Sequence, residues 1–288
     1  MTADRISVRK TLKLYIGGAF PRSESGRSYP ITTTDGEFLA NAAQASRKDA
    51  RDAVIAARNA VAGWTKATAY NRGQVLYRVA EVMEGRRSQF IEEISDAEGA
   101  ANAAAQVDAA IDRLVWYAGW ADKFTQVVGS ANPVAGPYFD FSLPEPTGVV
   151  AAVAPTSSSL LGLVSVVAPI IVTGNTVVVI ASQAHPAPAI AWSEVLATSD
   201  VPGGVVNVLT GDPSEITPWL ASHADVNALD LTGIADDVLA RELAIAAADT
   251  VKRVHRWSSD NTSWVGDPGL DRLVAFVETK TVWHPMGT

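Results

Sequence analysis

Short apolar runs alternate with longer helical stretches through the second half of the chain. Val149–Val153, Thr176–Ile180, Val205–Leu209 and Val226–Leu231 read as strands, and Val251–Val254 as a fifth. Leu160–Val172, Pro188–Thr198, Ser214–Ser222 and Asp236–Ala248 read as helices between them. Strands that are apolar on both faces and joined by helices predict βαβ units: an α/β fold with a parallel sheet covered on both sides and right-handed crossovers. Ligands of such sheets bind in the crevice at the carboxyl ends of the strands. The candidate crevice segments are Ala154-Pro155-Thr156-Ser157 and Leu209-Thr210-Gly211.

The first half has a different rhythm. Residues 12 to 40 suggest short strands with turns at Gly17-Gly18 and Asp35-Gly36. Three helical patterns follow. The first opens on Ser46 with Asp49 three places on, a capping-box spacing, and carries Ala50, Val54, Ala57, Val61 and Trp64 at helical period. The second carries Leu76, Val79 and Met83, and the third runs from about Val107 to Lys123. Tyr138–Leu143 is strand-like and is punctuated by Pro144 and Pro146. Ser258–Pro268 reads as a polar linker. The β-branched and aromatic stretch Leu273–Trp283 reads as one long strand.

Composition narrows the chemistry. Hydrophobic residues make up 48% and charged residues 19% of 288, which suits a globular chain with a sizeable core. A formal net charge of −8 argues against nucleic acid or an anionic membrane as partner. There is no cysteine, so disulfides, thiolate metal sites and cysteine nucleophiles are excluded from these residues. The four histidines (His185, His223, His255, His284) have no ligand-like spacing, and no metal site is expected. The apolar stretch Leu160–Ile180 is broken by Pro169, Gly174 and Asn175, so it reads as helix, turn and strand, not as a membrane span. The start of the chain lacks a signal-peptide pattern, and the cytoplasm is the expected compartment.

Several motifs in order resemble the aldehyde dehydrogenase superfamily. They are Leu14-Tyr15-Ile16-Gly17-Gly18, Asn71-Arg72-Gly73, Tyr117–Lys123, Glu145-Pro146-Thr147-Gly148-Val149-Val150 and Thr173-Gly174-Asn175-Thr176. Pro202–Gly211, Ser222–Val226 and Leu231-Thr232-Gly233 complete the series. The resemblance spans roughly residues 12 to 256. It implies a Rossmann-like parallel sheet with N-terminal helices and protruding oligomerisation strands. Residues 1–137 and 149–257 would form the NAD-binding-like domain, and 138–148 with 270–288 the oligomerisation strands. The family's catalytic lobe, with its cysteine and its Glu-Leu-Gly-Gly segment, has no counterpart in the sequence. Glu278–Trp283 instead resembles the family's C-terminal strand, which joins a neighbouring subunit's sheet.

That resemblance also marks a degenerate site. Ser157 stands where the family has its oxyanion-holding asparagine. Ile180, Ser182 and Gln183 fall in the ribose-binding segment, where the family's lysine and glutamate are Ile180 and Gln183. Beyond Gly211, Pro213 lies in the family's glycine-containing turn. After Gly233, Ile234 replaces a serine, and Asp236 and Asp237 add negative charge where a pyrophosphate would lie. No catalytic residue and no NAD binding are expected. The implied function is a pseudoenzyme subunit that assembles with a full-length aldehyde dehydrogenase, or with itself, by strand addition. The assembly residues would be Tyr138, Phe139, Phe141, Phe276, Val277, Thr279, Lys280, Val282 and Trp283. The alternatives are a stand-alone nucleotide-binding module, residual NAD(P)-dependent aldehyde oxidation, or a serine hydrolase using one of Ser157–Ser159 with His223 and Asp225 or with His185. Capping of the following helix by one of these serines is the structural reading of the same residues.

Overall fold

Capping chemistry fixes where the first long helix begins. In this computed structural model, which describes residues 10–257 and 264–287, the Ser46 side chain accepts from the Lys48 and Asp49 amides. Asp49 in turn accepts from the Ser46 amide, so the expected capping box is complete. Ahead of it, β1 (Thr11–Leu12), β2 (Ser28–Thr32) and β3 (Phe38–Ala43) form a small sheet in the order β1-β3-β2. Five helices follow: α1 (Arg47–Lys66), α2 (Ala69–Gly85), α3 (Arg87–Glu98), α4 (Ala103–Trp120) and α5 (Phe124–Val128). The spacing predicts α1, α2 and α4. It does not predict α3, which buries only Phe90, Ile94 and Ala97. After β4 (Ser130–Asn132) and β5 (Tyr138–Pro146), the alternation proceeds in order. It runs β6 (Val149–Val153), α6 (Leu161–Val172), β7 (Thr176–Ile180), α7 (Ala187–Leu196), β8 (Val206–Leu209), α8 (Pro213–Ser222), β9 (Ala228–Asp230), α9 (Asp237–Ala248) and β10 (Arg253–His255).

The main sheet has the order β10-β9-β6-β7-β8, and every pairing is parallel. Alternate residues of each strand enter two different cores. Val150, Ala152, Val177 and Val179 pack with α2, α4, α6 and α7 on one face. Val149, Ala151, Val153, Val178 and Ile180 pack with α1, α8 and α9 on the other. This is the doubly covered α/β sheet that the sequence pattern predicts. Its strand order reverses between β6 and β9, which makes their carboxyl ends the topological switch point. Among the described residues, no helix is long and apolar enough to cross a membrane.

The carboxyl-terminal stretch departs from the expectation of one long strand over 273–283. Residues Asp271–Val274 form a helical turn, α10, and the strand β11 runs from Val277 to Pro285. Leu273, Ala275 and Phe276 are core residues facing α6. Phe276 is thus an internal anchor and not an exposed assembly contact. Its ring lies 5.2 Å from that of His255 and 6.3 Å from that of Trp257. The fifth strand also starts later than the pattern suggests, because Val251 is solvent-exposed with φ +55°. Of the expected linker, residues 258–263 lie outside the described residues, and Trp264 just after them is buried.

β11 pairs antiparallel with β5 along its whole length, from Val277 opposite Pro146 to Pro285 opposite Tyr138. With β4 they form a second small sheet in the order β11-β5-β4. Asn175 ties its root to the main sheet. Its buried Oδ1 accepts from the Gly148 amide (2.8 Å), and its Nδ2 donates to Thr173 Oγ1 (3.0 Å) and to the Phe276 carbonyl (2.8 Å). Gly148 has φ +130°, and a Cβ there would lie 2.4 Å from Asn227 Oδ1, so only glycine fits the bend between β5 and β6. Removing the amide by Asn175→Ala strands the buried Gly148 N–H, while the Phe276 carbonyl keeps the Thr147 amide as donor. The expected loss is about 1–3 kcal/mol of unfolding free energy, read by urea denaturation.

Candidate functional site

The switch point is framed by two turns. After β6, Ala154–Leu160 leads into α6; after β9, Leu231–Asp236 leads into α9. The two turns touch. The Gly233 amide donates to the Val153 carbonyl (2.9 Å), and a Cβ on Gly233 would sit 2.1 Å from the Ala154 carbonyl oxygen. Glycine is required here by the close approach of two backbones.

The helix N-termini around this crevice are satisfied by the chain itself. At α6, the Ser159 amide donates to Glu98 Oε1 (2.6 Å), and the Leu160 and Leu161 amides donate to Gln106 Oε1 (3.2 and 3.4 Å). Gln106 Nε2 then donates to Glu98 Oε2 (3.1 Å), which locks the two acceptors together. At α9, Asp236 accepts from the Val238 and Leu239 amides. At α8, Asp212 accepts from the Ser214 amide, and Pro213 occupies the first turn, where its missing N–H costs nothing. Helix N-terminal amides and their dipole are the natural cradle for a phosphate. Here a carboxylate or amide oxygen already stands at each of these helix starts.

The residues singled out from sequence lie as follows. Ser157 is exposed, and Ser158 adopts φ +58°. The expected serine cap of α6 does not form: no side chain of Ser157–Ser159 caps the helix, and Ser159 Oγ is buried with no hydrogen-bond partner. Glu98 and Gln106, reaching across from α3 and α4, take that role. Ile180 and Ile234 are both buried and join the same core with Leu209 and Ile216, so they build hydrophobic core at positions beside the crevice. Ser182 Oγ donates to the Thr156 carbonyl (3.3 Å) and accepts from the His185 amide, while Gln183 is exposed. Gly211 holds φ +125° against Ala45 and Gln44. His223 is not placed as a base: its Nδ1 accepts from the Asp225 amide (3.1 Å) and makes no contact with the Asp225 carboxylate. Among the described residues, no three His, Asp or Glu side chains gather to hold a metal ion.

The groups that brace the turn before α9 and the end of β9 are not among those the sequence pattern singles out. Arg256 closes the turn before α9: Nε donates to the Ile234 carbonyl (3.1 Å), Nη2 to the Ile234 and Ala235 carbonyls, and Nη1 to Asp237 Oδ1 (2.6 Å). Below it, Asp230 is buried at the end of β9, where it accepts from the amide and hydroxyl of Thr232 and faces Arg272 Nη1 at 3.4 Å. Burial pushes the Asp230 carboxyl above the usual range, against the pull of Arg272 and Thr232. The Arg272 guanidinium lies over the rings of Trp257 (4.3 Å) and Trp264 (5.2 Å). Arg113 donates to Ser165 Oγ and to the Trp264 and Gly266 carbonyls, which ties the segment carrying Trp264 to α4 and α6. The hydrogen bonds of Arg256 and Arg113 and the Asp230–Arg272 pair join residues 19 to 153 positions apart, so no local motif announces them.

The assembly residues expected in the small sheet divide by face, because paired residues share a side. Phe139, Phe141 and Leu143 lie with Lys280, Val282 and His284. Tyr138, Asp140 and Ser142 lie with Thr279, Thr281 and Trp283. The first face joins an apolar patch, with Phe139 and Phe141 rings 5.4 Å apart and Phe139 half exposed, to the Lys280–Glu145 ion pair. The second is held by hydrogen bonds from Asn132 to Asp140 and Ser142, and by the Tyr138–Trp283 ring contact at 5.7 Å. Val277 is buried at the root.

Comparison with known proteins gives one consistent result. A family model described as "Aldehyde dehydrogenase family" matches residues 21–259. Cytosolic 10-formyltetrahydrofolate dehydrogenase of Homo sapiens is 32% identical over 264 residues, covering 88% of this chain and 29% of that protein. A putative aldehyde dehydrogenase, DhaS, of Bacillus subtilis (strain 168) is 30% identical over 250 residues, covering 85% of this chain and 50% of that protein. Among solved structures, a variant of aldehyde dehydrogenase C from Pseudomonas syringae, complexed with NAD+ and octanal, superposes with a TM-score of 0.78 at 29% identity, over 89% of this chain and 52% of that one. A putative aldehyde dehydrogenase from Burkholderia cenocepacia gives 0.81 at 26% identity, over 86% and 50%. The chain spans half or less of the length of these curated relatives.

The buried Asp230–Arg272 pair yields a stability prediction. Arg272→Ala leaves a buried carboxylate without its cation and is expected to cost about 3–5 kcal/mol. Asp230→Asn with Arg272→Met should recover most of that loss in chemical denaturation, since neither buried charge remains.

Proposed function

The chain belongs to the aldehyde dehydrogenase family, and from that membership we propose that it acts as a non-catalytic subunit that assembles with a full-length aldehyde dehydrogenase through the sheet β11-β5-β4. The observation that carries this reading is the filled crevice. Glu98, Gln106 and Asp236 occupy the amides at the starts of α6 and α9, and Arg256 binds the carbonyls of the turn between them. A dinucleotide entering there would have to displace two carboxylates and meet them as like charges. Ile180 and Ile234 offer its ribose and phosphate no donor. The residues present therefore do not fit the cofactor. The 288 residues also hold no cysteine to form the covalent thiol adduct that the family resemblance calls for.

Assembly rests on the small sheet. β11 is an edge strand whose outer side pairs with no strand among the described residues, and its sheet exposes Phe139, Leu143 and Trp283. Unpaired edges with apolar neighbours favour pairing with another chain. A second copy of this chain is the simplest control partner.

Two measurements test the proposal. Mixed with a full-length aldehyde dehydrogenase from its native source, the chain should co-elute in a larger assembly, and deletion of 277–288 should release it. A chain that stays monomeric beside that enzyme, or a deletion that leaves the complex intact, would overturn the assembly role. Calorimetry with NAD+ and NADP+ should give no saturable binding. A dissociation constant in the micromolar range, or NADH formation from aldehydes by the chain alone, would instead restore a nucleotide-binding or enzymatic reading.

A further inference from the structure

A cavity of about 450 Å3 opens at the opposite end of the main sheet, beside the amino-terminal starts of β6 and β7. Two arginines line it, Arg58 from α1 and Arg72 from α2, and neither is fully partnered. Arg72 donates from Nε to the Val172 carbonyl (2.9 Å) and from Nη1 to the Ala67 carbonyl (2.5 Å). Among the described residues it forms no ion pair with a carboxylate. Burial lowers its pKa, the direction for a cation withdrawn from water without a counter-ion. Arg58 uses Nη2 on the Asp225 carbonyl and on Asn227 Oδ1 (2.6 Å). Its Nε is buried and makes no hydrogen bond, although Asp225 Oδ1 stands 3.8 Å away. Arg72 Nη2 and Arg58 Nη1 thus remain donors without a hydrogen bond among the described residues. The carboxylate that lines the cavity, Glu145, is held by Lys280 Nζ at 2.8 Å.

The remaining wall is mixed: Val61, Phe124, Pro144 and Pro146 give it an apolar patch, and Thr65, Thr125, Thr147 and Thr173 line it as well. A cavity that joins unpartnered guanidinium donors to an apolar patch suits an amphipathic anion. We propose that this cavity binds a short-chain aliphatic carboxylate, its carboxylate on Arg58 and Arg72 and its chain against Phe124 and the two prolines. The site lies at the end of the sheet away from the crevice and is independent of whether the crevice binds a nucleotide. Because Pro144, Glu145 and Pro146 belong to β5, an occupant would touch the root of the small sheet.

The test is calorimetric titration of the full chain with hexanoate, with hexanol and inorganic phosphate as separate titrants. Hexanoate is expected to bind saturably at one site, and hexanol and phosphate more weakly. Arg72→Gln should weaken hexanoate by about tenfold or more, the scale of one charge-assisted hydrogen bond. Arg72 also braces two carbonyls, so that variant can fail to fold. Thr125→Glu lines the same cavity, removes no side-chain hydrogen bond and places a carboxylate beside the ligand; a similar loss is expected from it, with an unchanged circular dichroism spectrum. Absence of saturable hexanoate binding overturns the proposal. So does equal affinity in the wild type and Thr125→Glu, or binding of hexanol or phosphate as tight as that of hexanoate.

Discussion

One buried amide holds the parts of this molecule in register. Asn175 lies at the turn where α6 ends and β7 begins, and it is completely buried. Its oxygen fixes the Gly148 amide at the start of β6, and its nitrogen fixes Thr173 at the end of α6 and the Phe276 carbonyl at the root of β11. A buried amide must satisfy its polar atoms, and satisfied networks in a low-dielectric interior specify one geometry. The three partners come from three elements, so one side chain sets how the small sheet leaves the main one. Phe276 completes the anchor by packing its ring against His255 and Trp257. The exposed strand beyond it can then project without loosening the core.

Much of the fold was legible because its signals are local. The strands of the main sheet are continuous apolar runs, since both faces are covered, and the helices between them are bounded by Gly, Pro and Asp. Ser46 and Asp49 announced α1 through a capping box that the structure completes. Legibility ended where tertiary contacts outrank local preference. Leu273–Phe276 looks like strand by composition, yet the core beside α6 takes these residues in a helical turn. α3 went unread because its three buried residues are diluted by Arg, Gln and Glu. β5 continues through Pro144 and Pro146, which local rules treat as strand breakers. Here both prolines stay paired with β11, opposite Thr279 and Val277.

The crevice shows the same limit more sharply. The positions Ser157, Ile180, Gln183 and Ile234 could be picked out from a family resemblance, but what fills the space around them could not. Glu98 meets the Ser159 amide across 61 positions of chain, and Arg272 meets Asp230 across 42. The serine cap expected at α6 is replaced by two acceptors from other helices, and only the packing of α4 against α6 and of α3 against α4 brings them there. A motif records the residues that touch a ligand in relatives. It does not record the distant side chains that satisfy the backbone around them.

The two ends of the sheet therefore satisfy their polar groups by different routes. At the carboxyl end, acceptors from Glu98, Gln106 and Asp236 answer the helix amides, and the Arg256 guanidinium answers the turn's carbonyls. The Asp230–Arg272 pair lies beneath, roofed by Trp257 and Trp264. A charge placed there must displace an internal bond for each new bond it makes, so it gains little. At the amino end, the guanidinium groups of Arg58 and Arg72 are only partly bonded, and an apolar patch of the same cavity lies beside them. Net binding free energy arises where donors stand unanswered before the ligand arrives. By that criterion the part of the sheet next to the root of β11 is where an added anion would find new bonds to make.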